Sequence, residues 1–388
     1  MTRIGLMGGS FNPIHKRHIE LAIGAKEELA LDSVLFIPTG NPPHKRTSLA
    51  SAQDRYEMTR LAIMPYPNFS VSDIETNRSG TTYSVDTLKQ LKNEHPEAEY
   101  VFIIGEDTLQ DLPNWHKPDE VFRLCSFAVC CRSSSGIENL PIIKSLEQRG
   151  ARFAFLTLPP SPVSSTNIRN ELSKNGYAAD VPPQVMTYIR TVGLYEVQSM
   201  LNGHDLLHRL KAALNSKRYL HSLLVVDTAV QLAELHMASK IDAEYAGLLH
   251  DCAKCMPLEE MQSIAIAHQL PLDQQVLDSG NLLHGPVGAV VARESYSITD
   301  ENVLSAIACH TTGKVGMSKL DMILFLADKT ESGRDSYPLL EEIRTLSRQN
   351  LAEATLLSLE SSKKYVLGKG GTLYQDTDRI IRWLKSQV

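Results

Sequence analysis

The stretch Arg3-Ile4-Gly5-Leu6-Met7-Gly8-Gly9-Ser10-Phe11-Asn12-Pro13-Ile14-His15-Lys16-Arg17-His18 decides the fold of the first half. Arg3 to Met7 reads as a short apolar strand, two glycines follow, and an amphipathic helix starts near Lys16. Paired glycines let a backbone approach a phosphate closely. The amides at a helix start, with a charge of about half a unit, favour an anion there. His15 and His18, three apart at the helix entrance, share a face and both reach the same phosphoryl oxygens, where they would stabilise charge. Gly-Gly-Ser alone is also an ordinary strand-to-helix turn. The two histidines in register favour a phosphate site.

Outward from that stretch, apolar strands at Val34 to Pro38, Tyr100 to Ile104, Ser126 to Cys131 and Phe153 to Thr157 alternate with helical patterns. The helices fall at Lys16 to Leu31, Ala52 to Met64, Ser84 to Asn93 and Thr166 to Ser173, with Ser51 and Asp54 spaced as a capping box. The alternation predicts an α/β, doubly wound, Rossmann-like parallel sheet whose site lies at the carboxyl ends of the strands. Far downstream, Val163-Ser164-Ser165-Thr166-Asn167-Ile168-Arg169 opens another helix. Such hydroxyls are commonly caps. With Arg169 one turn in, Ser164, Ser165 and Thr166 also make a hydroxyl, amide and guanidinium cradle for a triphosphate, so one site could use both helix starts.

After about Val197 strand-like runs give way to helical periodicity, and the second half reads as all-α. The helices fall at Lys217 to His236, Ala243 to Lys254, Pro286 to Tyr296, Asp300 to Cys309 and Asn350 to Tyr365. Gln198 to Asp205, centred on Asn202-Gly203, reads as the linker, which sets domains at 1–197 and 205–388. Here His221, His250-Asp251, His284, His310 and Asp328 follow one another on separate helices. Imidazoles with carboxylates suit Fe, Mn, Zn or related divalent metals in a helical core. His250 and Asp251, consecutive on a helix, would diverge by about 100° and flank a metal beside its axis. Their neighbours are apolar, and a buried unpaired Asp is costly without a cation. Lys254, one turn beyond, is placed to meet a phosphate oxygen. Cys252 and Cys255 make a single Cys-x-x-Cys, better read as packing than as a zinc pair.

The bulk numbers fit two globular domains. A chain of 388 residues is too long for one ordinary core, and 43% hydrophobic with 22% charged residues is the balance of a folded protein. The net charge is −6, with 20 Lys/Arg against 22 Asp/Glu before residue 198 and 19 against 23 after it. Neither half has the basic excess of a nucleic-acid binder, so any phosphate grip must be local. No signal-peptide region and no membrane-length apolar run is present, so a cytoplasmic location is expected, and the six cysteines read as reduced thiols.

Residues 1 to 195 resemble the nicotinate mononucleotide adenylyltransferases of the HIGH-type nucleotidyltransferase superfamily. Besides the two motifs above, the likeness includes Asn41-Pro42-Pro43-His44-Lys45, Thr81-Thr82-Tyr83-Ser84-Val85-Asp86-Thr87-Leu88, Ile104-Gly105-Glu106-Asp107 and Trp115-His116-Lys117-Pro118. It implies attack by the phosphate of nicotinate mononucleotide on the α-phosphate of ATP, with Mg²⁺, giving the deamido dinucleotide and pyrophosphate. In that reading His15, His18, Lys45 and Arg169 hold phosphates, with Gly8, Gly9, Ser10 and Phe11 in the loop. Gly105 and Asp107 lie near the nucleotide, and Thr82, Tyr83 and Trp115 hold the pyridine ring. The family usually has glycine where this chain has Arg17.

Residues from about 205 to 385 resemble the HD phosphohydrolase superfamily, specifically the bacterial symmetrical diadenosine tetraphosphate hydrolases. The likeness rests on Arg218-Tyr219-Leu220-His221, Leu248-Leu249-His250-Asp251-Cys252-Ala253-Lys254, Leu283-His284-Gly285-Pro286, His310-Thr311-Thr312-Gly313 and Ala327-Asp328-Lys329. It implies His221, His250, Asp251 and Asp328 around one metal and His284 and His310 on a second, both iron. Lys254, Thr311, Thr312 and Arg334 would meet substrate. The family usually has a proline near Ser332-Gly333. The expected ligands are therefore ATP, nicotinate mononucleotide and diadenosine tetraphosphate, with neither nucleic acid nor membrane as partner. Two alternatives stay open, an N-terminal nucleotide-binding module without turnover and an HD site for another nucleotide. The oligomeric state, homo-oligomer included, is also open.

Overall fold

The computed structural model describes residues 2–40, 50–131, 141–157, 159, 161–198 and 203–388. The chain divides into two compact units. One is Met1–Ile189 with Leu194–Gln198, and the other is Arg190–Gly193 with Ser199–Val388.

The first unit is a parallel sheet of β1 (Arg3–Gly9), β2 (Ser33–Pro38), β3 (Phe69–Val71), β4 (Glu99–Gly105), β5 (Ser126–Cys131) and β6 (Phe153–Thr157), in the order β3-β2-β1-β4-β5-β6. The helices among these strands are α1 (Lys16–Glu28), α2 (Ala52–Ile63), α3 (Ser84–Glu94), α4 (Glu106–Asp111), α5 (Pro118–Leu124) and α6 (Pro141–Gln148), and after β6 come α7 (Ser165–Asn175) and α8 (Pro183–Val192), whose residues from Arg190 on are counted with the second unit. Strand order reverses at the β1/β4 pair, which carries Leu6 against Phe102 in register. That reversal splays the connections and opens a crevice at the carboxyl ends. Ser51 caps α2 by accepting the Asp54 N–H at 3.0 Å. β3, a three-residue edge strand, was too short for its alternation to be read. The core beneath the crevice runs through Leu6, Ile37, Leu88, Phe102, Phe122, Phe127 and Val129.

The second unit is helical among its described residues. It comprises α9 (Gly203–Ala213), α10 (Ser216–Leu235), α11 (Lys240–Leu249), α12 (Leu258–Ala267), α13 (Gln274–Leu277), α14 (Gly280–Tyr296), α15 (Glu301–Cys309), α16 (Lys319–Thr330), α17 (Leu340–Ser347), α18 (Leu351–Gly368) and α19 (Thr377–Lys385). Two glycines set its tight crossings. A Cβ on Gly247 would lie 3.0 Å from Val226 Cα, and one on Gly285 would lie 2.8 Å from the Ala308 carbonyl oxygen. Those approaches bring α10 to α11 and α14 to α15, and with them their histidines.

Two helix boundaries that bear on the second unit's site differ from the sequence reading. α11 stops at Leu249 rather than running on to Lys254: His250 is its C-cap, and Asp251 to Met256 continue as turns closed by Lys254 N–H to Asp251 O at 2.8 Å. Asp251 therefore lies just past the end of α11, in the turns that follow it, while His250 keeps helical backbone angles. α14 begins at Gly280 and passes through Pro286 instead of starting there. Proline forfeits one backbone bond, and the burial of Leu283, His284 and Val287 around it holds the helix together.

Candidate functional site

In the first unit the strand ends open on a cleft of about 1060 Å³. Gly8, Gly9, His18, Thr82, Tyr83, Gly105 and Trp115 line it. Trp115 is half-buried, edge-on to Phe102 at 5.5 Å and to Phe127 at 6.5 Å, so it is both a rim of the core and a wall of the cleft. Tyr83 lies beside His116 at 4.3 Å. Glu75, which sequence reasoning missed, also lines the cleft, accepting Thr87 Oγ1–H at 2.8 Å, and burial pushes its carboxyl pKa up.

The two histidines at the start of α1 stack with ring centroids 3.7 Å apart. His18 Nδ1 accepts the His15 backbone N–H at 3.2 Å, so a neutral His18 carries its proton on Nε2 as a donor. Burial, helped by the Arg17 charge, lowers His15 to about 4, and burial takes His18 well below its ordinary value. Both are neutral near pH 7 and offer hydrogen bonds rather than full positive charge. Among the described residues the buried His15 Nδ1 has no partner, a condition that points to a ligand or water. Phe11 is not in the cleft: it is buried beneath the imidazoles, 5.1 Å from the His18 ring.

The two predicted helix starts come together. Ser165 Oγ donates to Pro13 O at 3.1 Å and Arg169 Nη1 to Asn12 O at 2.8 Å, docking α7 on the loop after β1. Arg169 Nη2 also reaches Thr166 Oγ1 at 3.3 Å, while Ser164 caps α7 by accepting Asn167 N–H at 3.2 Å. Arg17 turns to Pro159 O at 2.6 Å and Glu20 at 3.2 Å and is not among the residues lining the cleft. Asp107 is exposed on the first turn of α4. Lys45 lies outside the described residues. A second residue missed from sequence is Arg55, fully buried, which donates to Ser10 O at 2.9 Å, Gly40 O at 3.0 Å and Ala50 O at 3.1 Å. Its signal was a charge on the apolar stripe of α2 that Met58, Thr59 and Ala62 continue.

In the second unit the predicted ligands converge. His221 Nε2 lies 3.0 Å from Asp328 Oδ1 and 3.3 Å from His250 Nε2. His284 Nε2 lies 3.2 Å from Asp251 Oδ1 and 3.0 Å from His310 Nε2. Two groups result, His221 with His250 and Asp251, and Asp251 with His284 and His310, each with donor atoms within 4.8 Å of one another. Behind each ring an oxygen faces Nδ1: Gly247 O at 2.8 Å from His250, Ile307 O at 2.7 Å from His310, Gly280 O at 3.2 Å from His284, and Glu331 Oε1 at 3.3 Å from His221. For His221, His250 and His310 those acceptors place the ring proton on Nδ1 and leave the Nε2 lone pairs facing the cluster, while His284 Nδ1 lies between Gly280 O and the Lys254 ammonium, 3.3 Å away. Facing lone pairs repel unless a proton or a cation lies between them, so the donor set fits divalent metal.

Electrostatics agree. Burial lowers His250, and takes His310 down to about 3, which keeps both neutral. Burial opposes charge on Asp251 and Asp328, yet their neighbours, His250 and His284 beside Asp251 and His221 and Lys329 beside Asp328, hold both carboxyls well below the usual range. His221 differs: burial opposes its charge, but Asp328 and Glu331 prevail and raise it to about 9, so without a metal the proton sits between His221 and Asp328. Cations rim the cluster. Arg218 reaches Asp251 at 3.0 Å, Arg334 reaches Asp328 at 3.3 Å, and Lys254 lies 3.3 Å from His284 Nδ1. Thr311 Oγ1 lies 3.1 Å from His310 Nε2, whereas Thr312 turns to Gly313 O at 3.0 Å. Cys252 is buried against Gly288 O, as packing would have it, whereas Cys255 is exposed, so packing accounts for the first thiol alone.

Two family models match, one within each unit. Residues 6–171 match the Cytidylyltransferase-like family and residues 218–333 the HD domain family. The chain is 31% identical over 366 residues to a probable nicotinate-nucleotide adenylyltransferase/Ap4A hydrolase of Mycoplasma genitalium, covering 92% of this chain and 97% of that one. It is 40% identical over 196 residues to a probable nicotinate-nucleotide adenylyltransferase of a Synechococcus strain, covering 50% of this chain and 94% of the relative. Among solved structures, a protein described as a predicted HD superfamily hydrolase involved in NAD metabolism from Clostridium acetobutylicum is 37% identical, with TM-score 0.47, covering 49% of this chain and all of that one. Among the described residues no helix is long and apolar enough to cross a membrane.

Proposed function

The chain belongs to the nicotinate-nucleotide adenylyltransferase/Ap4A hydrolase family, and from that premise we propose that it carries two reactions. The first unit would join nicotinate mononucleotide to ATP. The second would split diadenosine tetraphosphate symmetrically into two ADP.

In the first reaction the phosphate oxygen of nicotinate mononucleotide bonds to the α-phosphorus of ATP as the bond to the β-phosphate oxygen breaks, releasing pyrophosphate. Mg²⁺ enters with ATP as part of the substrate. No side chain need be a nucleophile, because positioning and charge stabilisation can carry the transfer. His18 would donate Nε2–H to a phosphate oxygen, His15 would complete the pair, and Lys45 and Arg169 would neutralise charge. Thr82, Tyr83 and Trp115, in the cleft wall, would hold the pyridine ring. The observation that most supports this reading is the meeting of both helix starts at one loop, through Ser165 to Pro13 and Arg169 to Asn12.

In the second reaction His221, His250, Asp251 and Asp328 would hold one divalent cation and His284 and His310, with Asp251 near both groups, the other. When bound, two such ions, iron by resemblance, supply a more acidic water and neutralise phosphate charge. The chain's own part is to keep the Nε2 atoms bare and the carboxylates ionised. Arg218, Lys254 and Arg334, with Thr311, would grip phosphate oxygens at the rim. The convergence of the histidine and aspartate donors supports it most.

Two assays test the pair of assignments. Pyrophosphate release from ATP should require nicotinate mononucleotide. Diadenosine tetraphosphate should yield two ADP and no ATP. Formation of ATP plus AMP would sink the symmetrical assignment, and a preference for another nucleotide in a substrate panel would replace the substrate.

A further inference from the structure

The Nδ1 atoms of His250, His284 and His310 each face a peptide carbonyl oxygen, whereas that of His221 faces a carboxylate. That carboxylate belongs to Glu331, 3% exposed, the C-cap of α16, three residues after Asp328. Its Oε1 faces His221 Nδ1 at 3.3 Å and its Oε2 accepts Gly333 N–H. Arg344 fixes the backbone there, donating from Nη2 to Glu331 O at 2.7 Å and from Nε to Thr330 O at 2.9 Å. Gly333 is suited to the close approach, because a Cβ there would lie 2.7 Å from Leu224 Cδ1 and 3.1 Å from Glu331 Oε2.

We propose that Glu331 is a positioning residue of the metal centre, whose carboxylate keeps the His221 proton on Nδ1, aims its bare Nε2 at the cluster and strengthens it as a ligand. This rests on reading the cluster as a divalent-metal centre. An imidazole that donates to a carboxylate is a more basic ligand than one that donates to a carbonyl, and such outer partners typically change metal affinity about 10- to 100-fold. The carboxylate also serves two donors at once, the ring N–H and Gly333 N–H, with one oxygen each. A glutamine there has one acceptor and one donor end. If its oxygen faces Gly333, its amide N–H meets His221 Nδ1 and pushes the ring proton to Nε2, where it blocks a metal. If its oxygen faces His221, the amide opposes Gly333 N–H.

The test uses the full chain as wild type, E331Q and E331A, stripped with chelator and titrated with Mn²⁺ by calorimetry, with folding checked by circular dichroism in chelator. E331Q should bind Mn²⁺ about tenfold more weakly and E331A up to about 100-fold, with pyrophosphate release by the first unit unchanged. A merely structural glutamate would lower the melting temperature in chelator yet leave the affinity of the folded protein alone. If wild type takes up no Mn²⁺, the metal-centre reading falls. If wild type binds and E331Q binds equally well, that reading stands and the role of Glu331 falls. Should E331A fail to fold, the near-isosteric E331Q decides.

Discussion

Buried histidines serve both units, yet they face their ligands with opposite atoms. In the first unit a backbone N–H of His15 occupies His18 Nδ1, so what remains is an Nε2–H donor suited to an anion. In the second, carbonyls and Glu331 occupy the Nδ1–H of His250, His310 and His221, so what remains are Nε2 lone pairs suited to a cation. Burial keeps His15, at about 4, and His310, at about 3, neutral alike. The hydrogen bond behind the ring, rather than the residue type or its charge, assigns each site its ligand.

The sharpest way to separate the two is Asp251→Asn, since Asp251 is common to both donor groups. ADP release from diadenosine tetraphosphate should fall on the order of 10³-fold, with pyrophosphate release untouched; a parallel loss of both would undo the division. His18→Ala removes the donor of the other site, and pyrophosphate release should drop on the order of 10²-fold while ADP release holds. Stripping metal should touch only the second unit: returning Mn²⁺ at about 100 times its dissociation constant should stabilise it by about 2.7 kcal/mol, read as a shift of one of two melting transitions.

A smaller effect concerns pH. His15 is held at about 4, below its ordinary 6.5, so over that range the unfolded chain binds a proton that the folded chain refuses. Its contribution is therefore destabilising as pH falls from about 6.5 towards 4. Between pH 7 and 5 the first unit should lose on the order of 1–2 kcal/mol through this residue, and urea midpoints of His15→Gln should lack that part of the slope. An identical slope in both proteins would refute the neutral assignment. Least affected should be Arg17→Gly. Because the guanidinium is engaged with Pro159 O and Glu20 and does not line the cleft, pyrophosphate release should stay within about threefold. A tenfold gain would mean that Arg17 obstructs the site after all.

Much of this was legible beforehand because it is written locally. Strand, glycine pair and helix start at Arg3 to His18 carry their own periodicity, and so do the sheet's other long strands and the order of His221, His250, Asp251, His284, His310 and Asp328. Where local patterns conflict with packing, the sequence misled. Pro286 looked like a helix start, and burial carried α14 back to Gly280, while the helical pattern ran past Leu249 although the chain turns there to present Asp251.

What the sequence determined by itself is the pair of fold classes and the residue types available to each site. Only the tertiary structure decided which atom each residue presents. Phe11, in a glycine-rich loop, went to the core, Arg17 turned to Pro159 rather than the cleft, and Arg55 took the carbonyls of Ser10 and Gly40. The partner of His221 lies 110 residues away, at Glu331. The physical reason is the range of the forces involved. Hydrophobic periodicity and capping act within a few residues and are visible in the string, whereas the tautomer of a buried imidazole is fixed by whichever oxygen the fold brings within hydrogen-bonding distance of its ring.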